Sequence, residues 1–302
     1  MDKRYRDCWG KPLFGGQRAV SPRPPSEKAV RGAAWVARVL LCSCLTLLLF
    51  GSFPALAETK VERSEGEAYF PSEKNWVYHY TYAFPYLTGQ DYTSALINDT
   101  YEMALDEMRQ LVLPMFANSP DMRFDGKNEV TQDFSVVCNN GLLLSILQTK
   151  RQTRGSEGDI LTLEPLTFDV SGMYAGESLT LRGVTLIQGG VDPAALEDAD
   201  PGDYPALAHI LDGSSGEMAQ ALLPLLYERF QSLQEEGVMA PALSQQDFED
   251  AFSPENDFYT DENGNLVFFF PPMLMARPAF SSPTFSFSPG ELDDLLAAYW
   301  GE

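Results

Sequence analysis

The side chains that most often carry out chemistry in proteins are few in this sequence and form no catalytic or metal-binding pattern. The two histidines, His79 and His209, lie far apart, and neither has a second His, Cys or Glu at the spacing of a metal site. The sequence contains no G-x-S-x-G motif, no P-loop and no G-x-G-x-x-G motif. We therefore predict no metal, no cofactor and structural or solvated histidines.

Carboxylates are abundant, and two acidic segments require an interpretation. Asp121–Gly126 has the first and fifth acidic positions and the glycine of a calcium loop. However, Arg123 occupies a ligand position, and Gln132 stands where the closing glutamate belongs. We interpret this segment as an Asp-Gly turn and the acidic stretch 192–203 as a solvated loop. A carboxylate pair for glycosidase chemistry stays open, because the sequence marks out no particular pair.

The first 57 residues have the organisation of a secretory signal peptide. Basic residues crowd the start, the apolar run Val39–Phe50 follows, and Ala55 and Ala57 form an A-x-A site before Glu58. We predict cleavage before Glu58 and a periplasmic or extracellular protein. The start codon could also lie downstream of the first Met.

The alternative for the N-terminal segment is an uncleaved membrane anchor formed by residues 39–57, which approach the length that spans a bilayer. Contact with a membrane is expected only in that case. Either way, no disulfide is expected within the exported part, since Cys138 is its single cysteine. Its apolar neighbours predict a small buried side chain.

Charge narrows the class of partner. The whole chain has 21 basic and 43 acidic residues, a net charge of −22, and residues 58–302 alone carry −28. A chain this acidic repels phosphate backbones, which argues against nucleic acid as a partner. The same field favours encounter with cationic proteins.

The elements that would position these residues follow from hydrophobic periodicity. Residues 58–74 are polar and predict a tether, and residues 76–84 form a strand with an aromatic residue at every even position. We expect those aromatics to form the core face of a sheet, the alternative being a stacking platform for sugars. Predicted helices lie at 91–116, 214–237 and 244–252 and from 288 to the C-terminus. Predicted strands lie at 133–138, 142–149, 160–170, 179–187, 257–260, 265–270 and 284–287.

Local signals mark several element ends. Asn140-Gly141 and Asn263-Gly264 predict hairpin turns, and Ser214, Ser244 and Ser288 are predicted N-caps. Together, the patterns predict an α+β fold of antiparallel sheets with packed helices in two sub-halves, 75–190 and 191–302.

Three groups of segments, in order, resemble the extracytoplasmic domain of RsiV-type anti-sigma factors and PdaC-type peptidoglycan deacetylases. They are 84–89 with Ile97-Asn98, then 140–146 with 166–172 and 179–181, then 265–272 with 285–292. The resemblance implies a domain of unknown function with a PdaC-like N-terminal half and an RsiV-like C-terminal half. It also implies lysozyme as a ligand, because RsiV-type domains bind lysozyme. In the deacetylases the domain accompanies a separate catalytic domain, for which this chain has no room.

Two loops depart from the resembling domain, at 154–158 and 273–281, and both are expected ligand edges. The second loop combines apolar side chains with a single base, as in desolvated anchors of protein interfaces. The alternative is that this loop only packs on the sheet. The candidate partner-binding residues are Met273, Met275, Arg277, Pro278 and Phe280.

These observations predict an exported, non-catalytic binding module at the cell envelope. Its expected partner is lysozyme, another cationic wall-active protein or a peptidoglycan-associated ligand. The alternative is a carboxylate-dependent hydrolase or deacetylase that acts on cell-wall glycan.

Overall fold

The computed structural model describes most of the chain after the predicted signal peptide. The described residues are 58–118, 128–153, 159–171, 175–192, 194, 198–241, 243–276 and 282–301, and they belong to one compact unit. The predicted signal peptide, the turn at 121–126 and the loop at 154–158 lie outside them. None of the described helices has the length and apolar character needed to cross a membrane.

A five-stranded sheet dominates the N-terminal part of this unit. Its spatial order follows the sequence, and its strands are β1 (Val61–Phe70), β2 (Tyr78–Leu87), β3 (Asn128–Asn139), β4 (Leu143–Thr153) and β5 (Asp159–Asp169). Neighbouring strands are antiparallel except for the parallel pair β2 and β3. That pair is parallel because the chain crosses between its strands through a helical segment.

A smaller antiparallel sheet lies in the C-terminal part, in the order β6 (Phe258–Thr260), β7 (Leu266–Phe269) and β8 (Thr284–Phe287). With the helices described next, the two sheets confirm the predicted α+β class. The hairpins expected at Asn140-Gly141 and Asn263-Gly264 join β3 to β4 and β6 to β7, and both glycines have positive φ, 80° and 83°.

Helices occupy the connection between β2 and β3, the connection between β5 and β6 and the C-terminal end after β8. They are α1 (Tyr92–Glu107), α2 (Leu113–Asn118), α3 (Leu181–Gln188), α4 (Ala208–Asp212), α5 (Ser215–Glu235), α6 (Gln245–Ala251) and α7 (Pro289–Trp300). A π-helical turn, Met108–Val112, joins α1 to α2. The predicted caps Ser214, Ser244 and Ser288 each form a capping box with an acidic residue three positions on.

The core contains the aromatic face of β2. Tyr78 and Tyr80 are fully buried, and Phe84 is 4% exposed. Phe84 lies in a cluster with residues of α1 and aliphatic residues of β4, whereas Tyr78 and Tyr80 lie in a second cluster with Met108, Leu113 and Val130. The prediction of a core face is therefore confirmed for these three residues of β2. A larger cluster joins α3, α5 and α7 to β7.

Two predicted elements are wrong. Residues 61–70, predicted as part of a tether, form β1, because a Glu-rich segment can pair along one edge while its charges remain in water. The predicted strand 179–187 is also wrong, because Leu181–Gln188 form α3, which begins at the N-cap Thr180, whose hydroxyl accepts a hydrogen bond from Gly183 N. A short apolar run does not distinguish a buried strand from a buried helix.

The predicted helix at 91–116 is divided by the π-helical turn, and helical structure continues beyond Pro114 to Asn118. Pro114 follows the π-helical turn and occupies the second position of α2, where the missing amide hydrogen costs little.

Candidate functional site

A groove follows the outer edge of β5, the last strand of the larger sheet. It consists of two adjoining cavities, of about 410 and 350 Å³, that share Leu163 and Asp257. One wall is residues 159–167 of β5, and the other comes from the smaller sheet and the turn Pro271–Met275. We call this feature the β5 groove. Its walls are mainly aliphatic, aromatic and proline side chains.

Asp257 is the most unusual polar group of the groove. It lies at the start of β6, where Ser253 N donates a hydrogen bond of 2.7 Å to Asp257 Oδ2 and Asp257 N donates one of 2.7 Å to Ser253 O. Burial raises the pKa of the Asp257 carboxyl group to about 6, although the hydrogen bond from Ser253 opposes this effect. Near neutral pH the groove therefore contains a carboxylate that gains from a cationic partner.

Of the three other carboxylates among the described lining residues, Glu255 is exposed and the other two have basic neighbours. Arg151 Nε donates to Asp159 Oδ2 at 2.6 Å, and Lys150 Nζ lies 3.2 Å from Glu164 Oε1. Both bases belong to β4. Among the described residues that line the groove there is no Lys, Arg or His. The groove is thus apolar with an acidic character.

The predicted partner-binding loop is described only in part. Met273 is 74% exposed on the lip of the groove, and Met275 is half-buried on its wall. Leu274 between them is buried and fixes the turn. Arg277, Pro278 and Phe280 lie outside the described residues, as do the predicted cleavage residues Ala55 and Ala57. Glu58 is the first residue described.

Both histidines lie away from the groove. His79 stacks on Tyr69 with 4.4 Å between ring centroids, and its Nε2 lies 3.2 Å from Glu67 Oε2. His209 Nδ1 lies 2.8 Å from Asp293 Oδ2, which agrees with a structural role.

Asp293 extends this contact to the backbone, because its other oxygen accepts a hydrogen bond of 2.9 Å from Ile210 N. This pair ties α4 to α7. In the part of the chain that the structure describes, no group of three or more His, Cys, Asp or Glu side chains is placed to hold a metal ion.

Cys138 has the character that its neighbours predicted. Its side chain is fully buried, and burial raises the pKa of the thiol to about 11. A thiol with so high a pKa is a poor nucleophile at neutral pH, so Cys138 serves as a small apolar residue of the sheet.

Asn98, part of one resembling segment, has a clear structural role. Its Oδ1 accepts from Leu87 N at 2.8 Å, and its Nδ2 donates to Leu87 O at 3.0 Å. These two bonds satisfy the backbone at the end of β2 and attach α1 to it.

Sequence reasoning missed Asp257 and the groove wall on β5. Asp257 follows a proline-containing turn and precedes an aromatic strand, which is a weak signal. The groove wall depends on the order of the strands in the sheet. That order arises from pairing between distant segments and cannot be derived from a local sequence pattern.

The chain matches no protein-family model, and no curated protein matches it significantly in sequence. Several solved structures are similar to it, among them two crystal structures. A DUF3298 family protein from Pseudomonas aeruginosa PAO1 has a TM-score of 0.42 and 13% identity, over 79% of this chain and 94% of that chain. A DUF3298 family member from Bacteroides fragilis NCTC 9343 has a TM-score of 0.36 and 15% identity, over 78% of this chain and 97% of that chain. Both of these structures thus belong to a domain family of unknown function.

Proposed function

We propose that this chain is an exported, non-catalytic binding module that recognises a cationic protein at the cell envelope through the β5 groove. Lysozyme or another basic wall-active protein is the proposed partner. The observation that carries the proposal is the composition of the groove: mainly apolar walls adjoin Asp257, a half-buried carboxyl group, with no base among the described lining residues.

The two properties of the groove have different roles in binding. The net charge of −28 on residues 58–302 accelerates encounter with a basic protein and makes the encounter rate fall with salt. Affinity comes mainly from apolar groups that lose water at the centre of an interface. Met273 offers such a group, because it is exposed on the lip of the groove, whose wall there includes Phe269 and Pro271.

The sequence resemblance supports the same class of partner, since RsiV-type domains bind lysozyme outside the membrane. The alternative of a carboxylate-dependent hydrolase or deacetylase has less support. Of the acids that line the groove, Asp159 is held by Arg151 and Glu164 by Lys150. The remaining acid, Glu255, is exposed to solvent, so Asp257 is the one carboxyl group of the described lining that is partly buried and has no basic neighbour.

Calorimetric titration with a panel of lysozymes, peptidoglycan fragments and an equally basic protein without wall activity tests the proposal. We expect lysozyme to bind, and Met273→Ala to weaken binding about five- to tenfold through loss of an apolar anchor. Met103→Ala is the matched control, because Met103 is 66% exposed on α1, outside the residues that line the groove. It should change affinity less than twofold.

Three outcomes would contradict the proposal. They are no binding to any basic protein at low salt, equal effects of Met273→Ala and Met103→Ala, and binding of peptidoglycan fragments alone.

A further inference from the structure

We propose that the β5 groove binds its partner by strand addition, in which an extended segment of a cationic protein pairs with the free edge of β5 over Asp159–Leu163. This inference rests on the proposed function and specifies the form of the partner. It follows from the hydrogen bonds of β5, from a comparison of the two edges of the sheet and from the charge of the groove.

Hydrogen bonds at the C-terminal end of β5 show which residues direct their backbone groups away from β4. Thr167 O accepts a hydrogen bond of 2.8 Å from Leu179 N, and Asp169 N donates one of 3.3 Å to Glu177 O, both on the side away from β4. Backbone groups alternate along an antiparallel strand. Leu161 and Leu163 therefore also direct their N–H and C=O groups outward, into the groove.

Two features make the outward backbone groups in the C-terminal part of β5 unavailable to an added strand. Residues 177–179 cover it at Thr167 and Asp169. Pro165 occupies an outward position and has no N–H to offer, as is common for proline on edge strands. Between Asp159 and Leu163, no described residue outside β4 makes a backbone hydrogen bond to the strand. With respect to the described part of the chain, a free window of five residues therefore remains, Asp159–Leu163.

The opposite edge of the same sheet shows how an edge without a partner is protected. β1 carries Glu62, Arg63, Glu65 and Glu67, and such charges discourage pairing with another chain. The free window of β5 instead carries Ile160, Leu161 and Leu163, which are half-buried in the groove. An aliphatic free edge beside a groove favours an added strand.

The groove also indicates the chemistry of the added strand. Alternate side chains of an extended segment point to opposite sides, so every second one faces the apolar wall of Phe269 and Pro271. The carboxylate of Asp257 favours a lysine or arginine among the side chains that face it. Pairing between two copies of this chain would instead bring identical acidic grooves together. The occupant is therefore an extended cationic segment of another protein.

Residue-resolved amide exchange measured by NMR tests the pairing directly. The probes are lysozyme and a ten-residue peptide of alternating lysine and valine, with a glutamate-valine peptide as the control. Without a partner, the amide hydrogens of Leu161 and Leu163 should exchange rapidly. Those of Ile160 and Thr162, which point towards β4, should exchange slowly. Saturation with the basic probes should slow exchange at Leu161 and Leu163 at least about tenfold.

A pair of variants isolates the contribution of one backbone donor. Leu163→Pro removes the outward N–H, and Leu163→Ala shortens the side chain but keeps that donor. We expect Leu163→Pro to bind the basic probes about tenfold more weakly than Leu163→Ala. Matched circular dichroism spectra establish that both variants fold. If the proline variant does not fold, the exchange pattern of the unsubstituted protein decides.

The failures of the two proposals are distinguishable. Binding at the groove without alternating protection, with equal affinities of the two variants, overturns strand addition and leaves the binding function intact. No binding of any basic protein overturns both. Protection of Leu161 and Leu163 without a partner, in a particle of twice the monomer mass, assigns the edge to a second copy and also overturns the inference.

Discussion

Asp257 is the side chain of the β5 groove whose protonation depends most on folding. Burial raises its pKa to about 6, so the folded protein binds a proton there more tightly than the unfolded chain, in which an aspartate titrates near 3.9. Between these two values the folded state holds more protons. The contribution of Asp257 to stability is therefore full at acidic pH and is lost as the pH rises towards 6.

Asp257→Asn should remove this pH dependence, because the amide oxygen can still accept the hydrogen bond from Ser253 while no charge is buried. Relative to this variant, we expect the wild type to lose on the order of 2 kcal/mol of unfolding free energy between pH 4 and 7. Urea unfolding at four pH values measures the difference.

Asp250→Asn is the control, because Asp250 is exposed on α6. The difference in unfolding free energy between the wild type and this variant should stay nearly constant from pH 4 to 7. A difference between wild type and Asp257→Asn that stays constant from pH 4 to 7 would mean that this carboxyl group is in contact with water.

At the scale of elements, helix starts follow from local chemistry. Ser288 caps α7 by accepting a hydrogen bond from Glu291 N at 3.3 Å, and Ser288 N donates one of 2.7 Å to Glu291 Oε2. Leu292 and Leu296 on the same helix are buried in the larger core cluster. The cap therefore stabilises an element on which that cluster depends.

Ser288→Ala should lower the unfolding free energy by about 1 kcal/mol, since the amide of Glu291 loses its acceptor. Ser286→Ala is a matched control two residues away, because Ser286 is exposed on β8. Its effect should stay within about 0.5 kcal/mol. Thermal melts of both variants measure the difference, and equal melting temperatures would show that the cap contributes nothing.

The individual elements also show how much of the structure could be predicted from the sequence. Hairpins at Asn-Gly turns and capping boxes are encoded within four residues, and the structure confirms them. β1 and α3 depend on distant partners: β1 on the open edge of β2, and α3 on the core cluster it shares with α5 and α7. Their own residues describe a charged segment and a short apolar run, which are compatible with several structures.

The candidate site could be predicted in composition but not in geometry. The Met-rich loop stood out as a source of apolar anchors, and Met273 and Met275 line the β5 groove. Their role in binding stays a prediction. Asp257 and the free window of β5 come from segments about 100 residues apart, and the fold alone brings them together.

For the whole molecule, charge and fold act together. The net charge of −28 on residues 58–302 steers basic proteins towards the whole surface without selecting a place. In the proposed function the β5 groove supplies the place, because apolar walls and a backbone edge favour a specific complex. Salt should therefore slow association strongly, while changes in the groove should mainly accelerate dissociation.

Hydrogen exchange read by mass spectrometry, with and without saturating lysozyme at physiological salt, tests the central claim most directly. The account predicts slower exchange in peptides that cover 159–166 and 257–275 and no change in peptides that cover 99–111, which contain the acidic end of α1 and most of the π-helical turn. No slowing at saturation, or slowing confined to 99–111, would contradict it.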